Sequence, residues 1–278
     1  RASRWNIASS RRGGSPSWAV RGEMSVPRFF VPPEWLGRGD PIALTGDLAR
    51  QLGKVLRLQP GDRIVLLDNS GRAYEAELLR LEPQAVYVHL LRTFAPQTEP
   101  RLRLILYQAL PKGERFEWVL QKGTELGISA FVPLITERSV LQAPERIGAQ
   151  RLARWRRIIQ EAAEQAGRAR LPELAPVQTF EQALATLPAQ EPCLMAALAP
   201  QAVPLHAVLE PLRSAPPRAV SLFIGPEGDF SPAEVSRAVQ AGARLVSLGP
   251  RILRTETAAI AASAIILYTL GEMAAPQE

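Results

Sequence analysis

The chain has 278 residues, of which 46% are hydrophobic, and this length suits two typical domains or one large one. Its formal net charge is +6, but residues 1–23 carry five arginines against one acid, so basicity alone is weak evidence for nucleic-acid binding. One cysteine excludes an intrachain disulfide and indicates a reducing, cytoplasmic compartment, and two histidines with that cysteine exclude a Cys/His zinc cluster, although not an all-carboxylate Mg²⁺ site.

The arginine- and serine-rich residues 1–23 lack a hydrophobic core segment. Their composition suits an organellar transit peptide. The simpler interpretation is sequence upstream of a start at Met24, where the patterned chain begins. In both cases we expect this stretch to be disordered.

Turn-forming residues divide residues 28–94 into short segments, as in a small β domain. Short apolar segments alternate with turn signals such as Asn69-Ser70-Gly71, and this spacing is typical of a small barrel. A short helix is predicted over 47–58. The predicted strands are 61–68, 72–79 and 85–91.

After residue 100, predicted strands alternate with predicted helices, which implies a mostly parallel sheet with helices on both faces. Strands are predicted over 102–110, 130–135, 193–198, 221–225 and 244–249, and helices over 113–127 and 145–168. The apolar run near 258–270 is too short to span a bilayer, which takes roughly 20 residues. We therefore divide the chain into a basic extension (1–23), a β domain (24–94), a linker (95–100), an α/β domain (101–271) and a tail (272–278).

The segment IGPEGDFSPAE (224–234) joins the end of a predicted strand to the start of a helix. Ser231 is a natural N-cap, Pro232 suits the first helical position, and Glu234 completes a capping box. Ligands bind at such loops in open α/β sheets, and glycines let the backbone approach a flat ligand. The G-x-G-x-x-G and Walker patterns are absent. An ordinary strand–helix turn explains the same residues.

The segment RLVSLGPRILRTETA (244–258) repeats this arrangement, so the two loops are candidates for two walls of one pocket. Arg251 and Arg254 supply fixed positive charge, and Glu256 can accept hydrogen bonds. Thr255 or Thr257 is expected to cap the final helix. Helix capping with a surface ion pair is the plain structural alternative.

The long helix carries a basic stretch, residues 151–170, with six arginines and two glutamates. Glu161, Gln165 and Arg168 are spaced by four and three residues, so we expect them on one helix face. Such a face can contact RNA phosphates, although a solvated face with ion pairs is the more common explanation.

Together, IGPEGDFSPAE, LGPRILRTETAAIAA (248–262) and the segments 110–128, 133–140 and 161–168 resemble the ribosomal RNA small subunit methyltransferase E family. These are S-adenosylmethionine-dependent methyltransferases of the SPOUT class. Residues 28–32 and 61–78 are similar to the family's N-terminal domain. The resemblance covers about residues 24–271, and the order and spacing of the two glycine-proline motifs make it specific.

The resemblance implies a PUA-like β-barrel followed by an α/β SPOUT domain with a trefoil knot, and a homodimer with the active site at its interface. It implies methylation of N3 of one uridine in the 16S rRNA of the 30S subunit, without a metal or a membrane. Three loops are implied to contact S-adenosylmethionine. Their residues are Leu134, Ile135, Thr136, Ile224, Gly225, Pro226, Glu227, Gly228, Leu248, Gly249, Arg251, Ile252 and Leu253, with Thr257 and Ala258 adjoining.

Two positions depart from the family's pattern. Asp229 stands where the family usually has a second glycine, and its carboxylate is expected either to alter the loop or to face solvent. Gly123 stands where alanine is commoner.

Uracil N3 is a poor nucleophile until its proton leaves, and the negative charge then spreads onto the flanking carbonyl oxygens. A site needs fixed alignment and positive or donating groups where this charge develops. We therefore expect Arg254 to stabilise the uridine anion, with Glu256 orienting Arg254 or accepting the proton. The residues expected to contact RNA are Arg28, Arg138, Glu161, Gln165 and Arg168.

Two alternatives stay open. The first is a non-enzymatic rRNA-binding or ribosome-assembly protein that retains the cofactor fold, which only Asp229 encourages. The second is a nucleotide-dependent metabolic enzyme of ordinary Rossmann type, against which the missing phosphate-loop signature argues.

Overall fold

The structure is a computed structural model that describes residues 26–37, 39–139, 147–188 and 190–274. The basic extension 1–23 and its expected disorder lie outside these residues. Within the described ranges, no helix combines the length and apolar character needed to cross a membrane.

The N-terminal part of the described chain forms a curled five-stranded sheet. Its strands are β1 (Arg28–Phe30), β2 (Ile42–Thr45), β3 (Arg63–Leu67), β4 (Ala73–Leu81) and β5 (Ala85–Phe94), and its helices are α1 (Pro33–Leu36) and α2 (Gly46–Arg50). The strand order is β1-β3-β4-β5-β2. The first pair is parallel and the others are antiparallel. The α2 helix continues as a π-helical turn over Gln51–Val55, so the helix predicted over 47–58 ends earlier than expected.

All five strands bury one side in a common core. Phe29, Leu44, Ile64, Leu78 and Val88 belong to this core and are almost fully buried. Burying each such side chain contributes roughly 1.5–3 kcal/mol to folding. The opposite side of the same sheet faces solvent or the rest of the protein, as alternation along a strand requires.

The remaining chain builds a second sheet whose paired strands are all parallel. Its strands are β6 (Arg103–Ala109), β7 (Ala130–Ile135), β8 (Glu173–Leu174), β9 (Gln178–Thr179), β10 (Cys193–Ala196), β11 (Val203–Pro204), β12 (Ala219–Ile224) and β13 (Arg244–Ser247). The helices are α3 (Arg115–Leu126), α4 (Ala149–Ala166), α5 (Phe180–Ala185), α6 (Leu205–Leu209), α7 (Pro232–Gln240) and α8 (Thr255–Thr269). The order is β11-β13-β10-β12-β6-β7-β8, and β9 also pairs with β7.

Helices cover both faces of this sheet, which confirms the predicted architecture. On one face, Phe116 and Trp155 meet edge to face and pack with Ile266 of α8. On the other face, Phe223 stacks on Tyr107 and meets Phe180 of α5. The knot implied by the resemblance stays a prediction, as does the division into domains.

Gly123 marks a close approach of α3 to the sheet. A Cβ atom at this position would lie 2.7 Å from side-chain atoms of Ile128 and Phe131, so alanine does not fit without a shift of its neighbours. Cys193 is buried in the second core, where burial raises the pKa of its thiol to about 12. Cys193 is therefore a core residue.

Candidate active site

Three parallel strands, β10, β12 and β13, end at the same edge of the larger sheet. The segments that follow them line one cavity of about 280 Å³. Its walls come from residues 196–198, 224–229 and 246–258. The two glycine-proline loops therefore do meet in one pocket, and the end of β10 adds a third wall that the sequence analysis did not assign.

The loop after β12 is fixed at both ends. Gly225 and Pro226 are buried at the strand end. The Ser231 hydroxyl accepts from the Glu234 N–H at 3.2 Å, and the Glu234 carboxylate accepts from the Ser231 N–H at 2.8 Å. This is the predicted capping box, with Pro232 in the first turn of α7. A cap of this kind stabilises a helix start by roughly 0.5–2 kcal/mol.

The loop after β7 lies behind that wall. Thr136 is buried and donates its N–H to Ser139, and the Glu137 N–H donates to the buried Glu234 carboxylate at 2.9 Å. The Arg138 guanidinium donates to the carbonyls of Gly228 and Phe230 at 2.6 and 3.3 Å. Leu134, Ile135, Thr136 and Gly228 are not among the residues that line the cavity. Arg138 and the loop after β7 therefore hold the loop after β12 in position.

Asp229 closes the cavity wall. Its φ of +60° lies in the left-handed region, which glycine adopts most easily and aspartate and asparagine tolerate better than other residues. Its carboxylate accepts from the Leu198 N–H and from the Phe230 N–H, both at 2.8 Å. The Asp229 carboxylate therefore ties the loop after β12 to the wall after β10.

The loop after β13 carries the two predicted cations. Gly249 has a φ of +110°, and Arg251 and Arg254 are exposed along the cavity. Neither arginine has an ion-pair partner within the described ranges. Arg254 is the N-cap residue of α8, at the positive end of the helix dipole, where a cation is unfavourable by roughly 0.3–1 kcal/mol. This arrangement favours an anion at the cavity mouth.

The prediction that Thr255 or Thr257 caps α8 is wrong, because the N-cap residue is Arg254 and no side chain caps that helix. Thr255 is instead buried, donates its hydroxyl to the Gly225 carbonyl at 2.6 Å and accepts from Gln108 at 2.9 Å. This pair of hydrogen bonds joins the ends of β6 and β12 to the start of α8. Thr257 is exposed and lies outside the cavity lining.

A second charged group borders the cavity. The Glu227 carboxylate accepts from the Lys112 N–H at 3.1 Å and from the Arg115 guanidinium at 2.6 Å. Burial acts to raise the pKa of Glu227, but the hydrogen bonds from its own N–H and from Lys112, with the charge of Arg115, outweigh burial and lower it. Glu227 therefore carries a negative charge at neutral pH.

Glu256 faces Arg115, whose Nε lies 3.8 Å from its Oε1. The other oxygen, Oε2, is buried and has no hydrogen-bond partner within the described ranges. The expectation that Glu256 orients Arg254 is not met, because its charged neighbour is Arg115. A buried carboxylate oxygen without a partner is costly and is a feature of sites that await a ligand or a proton.

The three residues that were expected to share one face of α4 do not lie together. Glu161 and Gln165 are exposed along a groove between α3 and α4, where Arg157 pairs with Glu161 at 2.8 Å. Arg168 lies beyond the helix end, which Gly167 closes with a φ of +73°. The predicted shared face is therefore wrong at Arg168.

Arg168 is buried, with 4% of its surface exposed. It donates to the carbonyls of Thr124 and Ile128 at 3.1 and 2.8 Å, and it pairs with Glu99 at 2.8 Å. Glu99 also accepts the N–H of Ala169. These contacts place Arg168 inside the junction with the predicted linker, so it does not face a solvent-borne RNA.

Arg28 lies at the same junction, where its guanidinium donates to the Gly167 carbonyl at 3.4 Å. The residues that the sequence analysis missed are Gln108, Arg115 and Leu198. Lys112 and Arg115 lie in the segment 110–128 that carried the resemblance, so that segment was the available signal for them. For Leu198 the signal was the end of a third strand at the same sheet edge.

Comparisons with known proteins give the family. Residues 98–267 match the model of an RNA methyltransferase domain, and residues 44–91 match that of an RNA methyltransferase PUA domain. The ribosomal RNA small subunit methyltransferase E of Bacillus subtilis is 32% identical over 245 residues, which are 87% of this chain and 96% of that protein. The protein of the same name from Synechocystis is 38% identical over 240 residues, 86% of this chain and 76% of that protein.

A solved structure has the same organisation. The ribosomal RNA small subunit methyltransferase E of Neisseria gonorrhoeae, bound to S-adenosyl methionine, superposes with a TM-score of 0.80 at 35% identity, covering 90% of this chain and 100% of that one. With its PUA-like sheet, its parallel α/β sheet and the paired glycine-proline loops, this chain belongs to the ribosomal RNA small subunit methyltransferase E family.

Proposed function

We propose that this protein transfers a methyl group from S-adenosylmethionine to N3 of a uridine in the 16S rRNA of the small ribosomal subunit. The observation that carries the proposal is the single cavity built by the loops after β12 and β13, with Arg254 at its mouth. The relative from N. gonorrhoeae, which is bound to S-adenosyl methionine, supports the choice of cofactor.

The cavity suits this cofactor. Ile224, Leu248 and Leu253 supply apolar walls for a flat adenine ring, and the glycine-bearing loops let the backbone approach it. Glu227 lines the cavity and carries a negative charge, which favours the binding of a cationic ligand. The residues proposed to hold the cofactor are 224–227, 248–249 and 251–253, with Ala258, while Leu134–Thr136 and Gly228 act by supporting them.

When bound, S-adenosylmethionine supplies a methyl group on a positively charged sulfur. The protein's task is to hold the uracil N3 in line with that methyl and to stabilise the charge that forms when the N3 proton leaves. Arg254 is exposed at the cavity mouth without an ion-pair partner in the described chain, so its guanidinium is available to the uracil oxygens. We assign the anion-stabilising role to Arg254.

Glu256 is the proposed acceptor for the N3 proton. Its Oε2 is buried and has no hydrogen-bond partner among the described residues, and the Arg115 guanidinium lies beside its Oε1. Arg115 also pairs with Glu227, so one guanidinium links the proposed proton acceptor to the cofactor wall.

The proposal includes a homodimer with this cavity at its interface, acting in the cytoplasm on the 30S subunit. Leu198 and Ile252 line the cavity mouth and are 69% and 83% exposed. Large apolar side chains at a cavity mouth are typical of surfaces that a partner covers. Exposed Glu161 and Gln165 on α4 are proposed to face the RNA.

Methyl transfer tests the function directly. We expect the purified protein to transfer tritium from labelled S-adenosylmethionine to one uridine of 30S subunits from cells that lack this gene, as located by mass mapping of the 16S rRNA. Calorimetry with S-adenosylhomocysteine is the matched binding test. Heat of binding without label on the rRNA would favour the non-enzymatic alternative, and binding of NAD without binding of S-adenosylhomocysteine would favour a Rossmann enzyme.

A second prediction concerns Asp229. In Asp229→Ala the loop loses its hydrogen bond to Leu198, which is worth about 1.5–3 kcal/mol for a charged acceptor. It also loses a side chain that tolerates the left-handed conformation at this position. We expect Asp229→Ala to weaken S-adenosylhomocysteine binding by about tenfold or more in calorimetry. Asp229→Gly, which keeps only the conformational freedom, should fall between Ala and wild type.

Asp229→Asn tolerates the same φ and can still accept one N–H through its amide oxygen, but its NH2 group cannot accept the second N–H that the carboxylate binds. We expect its affinity to lie between those of Asp229→Ala and wild type. Equal affinities for the Ala, Gly and Asn variants would remove the role of this contact.

A further inference from the structure

The outward face of the N-terminal sheet carries a second cavity, of about 410 Å³, away from the methyl-transfer site. We call it the barrel pocket, and its lining is Val26, Arg28, Arg63, Val65, Glu75, Arg92 and Phe94. Four neighbouring strands, β1, β3, β4 and β5, contribute one or two of these side chains each.

Strand register explains how these residues come together. Arg28 pairs with Val65, Val65 with Glu75, and Glu75 with Arg92, so the four side chains form a row across the sheet. Their neighbours along the strands, such as Ile64 and Ala76, point into the barrel core on the other side. The row is therefore the outer surface of the sheet.

A bulge in β5 completes the pocket. Arg92 pairs with Glu75 and Leu90 pairs with Ala76, so Leu91 is an extra residue in β5. If Leu91 were paired as in a regular strand, Arg92 and Phe94 would lie on the same side as Leu90, which packs on the core. Bulges often re-aim side chains beside functional sites.

The pocket is cationic with one anionic centre. Glu75 is mostly buried and accepts from Arg63 at 2.9 Å and from Arg92 at 2.5 Å. The hydrogen bond from Arg92, with the help of Arg63, lowers the pKa of Glu75, so this group is ionised. Among the described residues that line the pocket, three arginines stand against one glutamate, and the Arg92 guanidinium lies over the Phe94 ring, 4.8 Å from its centroid.

The other end of the same face is apolar and docks on the α/β domain. Leu67 and Ala73 pack with Ala169, next to the buried Arg168. The apolar cluster that fixes the barrel to the α/β domain includes Val65 and continues into Phe94, so it adjoins the basic lining of the pocket.

We propose that the barrel pocket binds a single-stranded nucleotide of the RNA substrate, with its phosphate on Arg63 and Arg92 and its base against the half-buried Phe94. This inference rests on the proposed function for the identity of the RNA. Guanidinium groups that bind phosphate beside an aromatic ring that stacks a base are the common elements of single-strand recognition. A nucleotide held here would anchor the RNA while another nucleotide enters the methyl-transfer cavity.

The test measures binding of 30S subunits and of an oligouridine probe at several salt concentrations. Arg63→Gln/Arg92→Gln should weaken both by about tenfold or more and reduce the slope of log K against log salt by about 0.7, the value for one phosphate of a single strand. Because Glu75 would lose its partners, the triple variant with Glu75→Gln guards against unfolding and should show the same loss. Phe94→Leu should weaken binding without changing the slope.

Arg80→Ala is the matched control, since Arg80 lies on the same sheet, is similarly exposed and does not line the pocket. Unchanged affinity and slope in both arginine variants, or an equal loss in Arg80→Ala, would overturn the proposal. Equal losses for oligouridine and for a fully paired RNA duplex would also overturn it, in favour of nonspecific polyanion binding.

Binding of S-adenosylhomocysteine should stay at the wild-type level in all these variants. If the wild-type protein methylates rRNA and the variants bind RNA normally, only the proposed role of the barrel pocket is refuted. Wild-type protein that binds RNA through the pocket without methylating it would refute the proposed reaction and leave the pocket intact.

Discussion

Arg254→Ala should slow single-turnover methylation of 30S subunits by about 10²–10³, the usual cost of removing one donor that stabilises developing charge. The reason is geometric, because Arg254 stands exposed at the mouth of the cavity with no ion-pair partner among the described residues. The measurement is the rate of label transfer with protein and cofactor in excess over subunits.

Two comparisons make this result specific. Arg254→Lys keeps the charge but loses the planar fork, so it should recover part of the rate. Arg213→Ala removes an exposed arginine that pairs with Glu210, and it should leave the rate unchanged. A rate for Arg254→Ala within threefold of wild type, with subunit binding intact, would exclude Arg254 from the chemistry.

Arg168→Ala should destabilise the protein by about 3–5 kcal/mol, because it removes the cation buried against the Glu99 carboxylate and the side-chain donor to the carbonyls of Thr124 and Ile128. At roughly 2–4 °C per kcal/mol, the midpoint of thermal unfolding should fall by roughly 10 °C or more. Circular dichroism during heating measures this change.

The control is Arg157→Ala, which removes an exposed partner of Glu161 on the same helix. Surface ion pairs contribute about 0–1 kcal/mol, so its midpoint should stay near that of wild type. Glu99→Gln combined with Arg168→Met removes both charges together and should cost less than Arg168→Ala alone. A midpoint for Arg168→Ala equal to that of Arg157→Ala would show that the junction contributes little stability.

Much of the fold followed from local patterns. The predicted strand over 130–135 agrees with β7, and the capping box at Ser231 and Glu234 is present as expected. The two glycine-proline loops were predictable as pocket walls because parallel strands end at one edge. Their meeting in one cavity is the main agreement at the candidate site.

The remainder depends on contacts between residues far apart in sequence. Gln108 and Thr255 are 147 residues apart, and Arg115 and Glu227 are 112 apart, so no local pattern links them. Helical spacing suggested that Arg168 would share a face with Glu161, but Gly167 ends the helix one residue earlier. The helical spacing of the sequence continues through Gly167, whereas the chain leaves the helix there.

The junction built by Glu99, Arg168 and Ala169 has a consequence for substrate choice. Because the barrel packs against the α/β domain at this junction, the protein fixes the distance between the two surfaces that are proposed to contact RNA. An RNA that engages both surfaces gains from the high effective concentration of the second contact once the first has formed. A fragment that carries the target nucleotide but is too short to reach the barrel loses that gain, so the length of the RNA, and not only its sequence, should determine how well it is methylated.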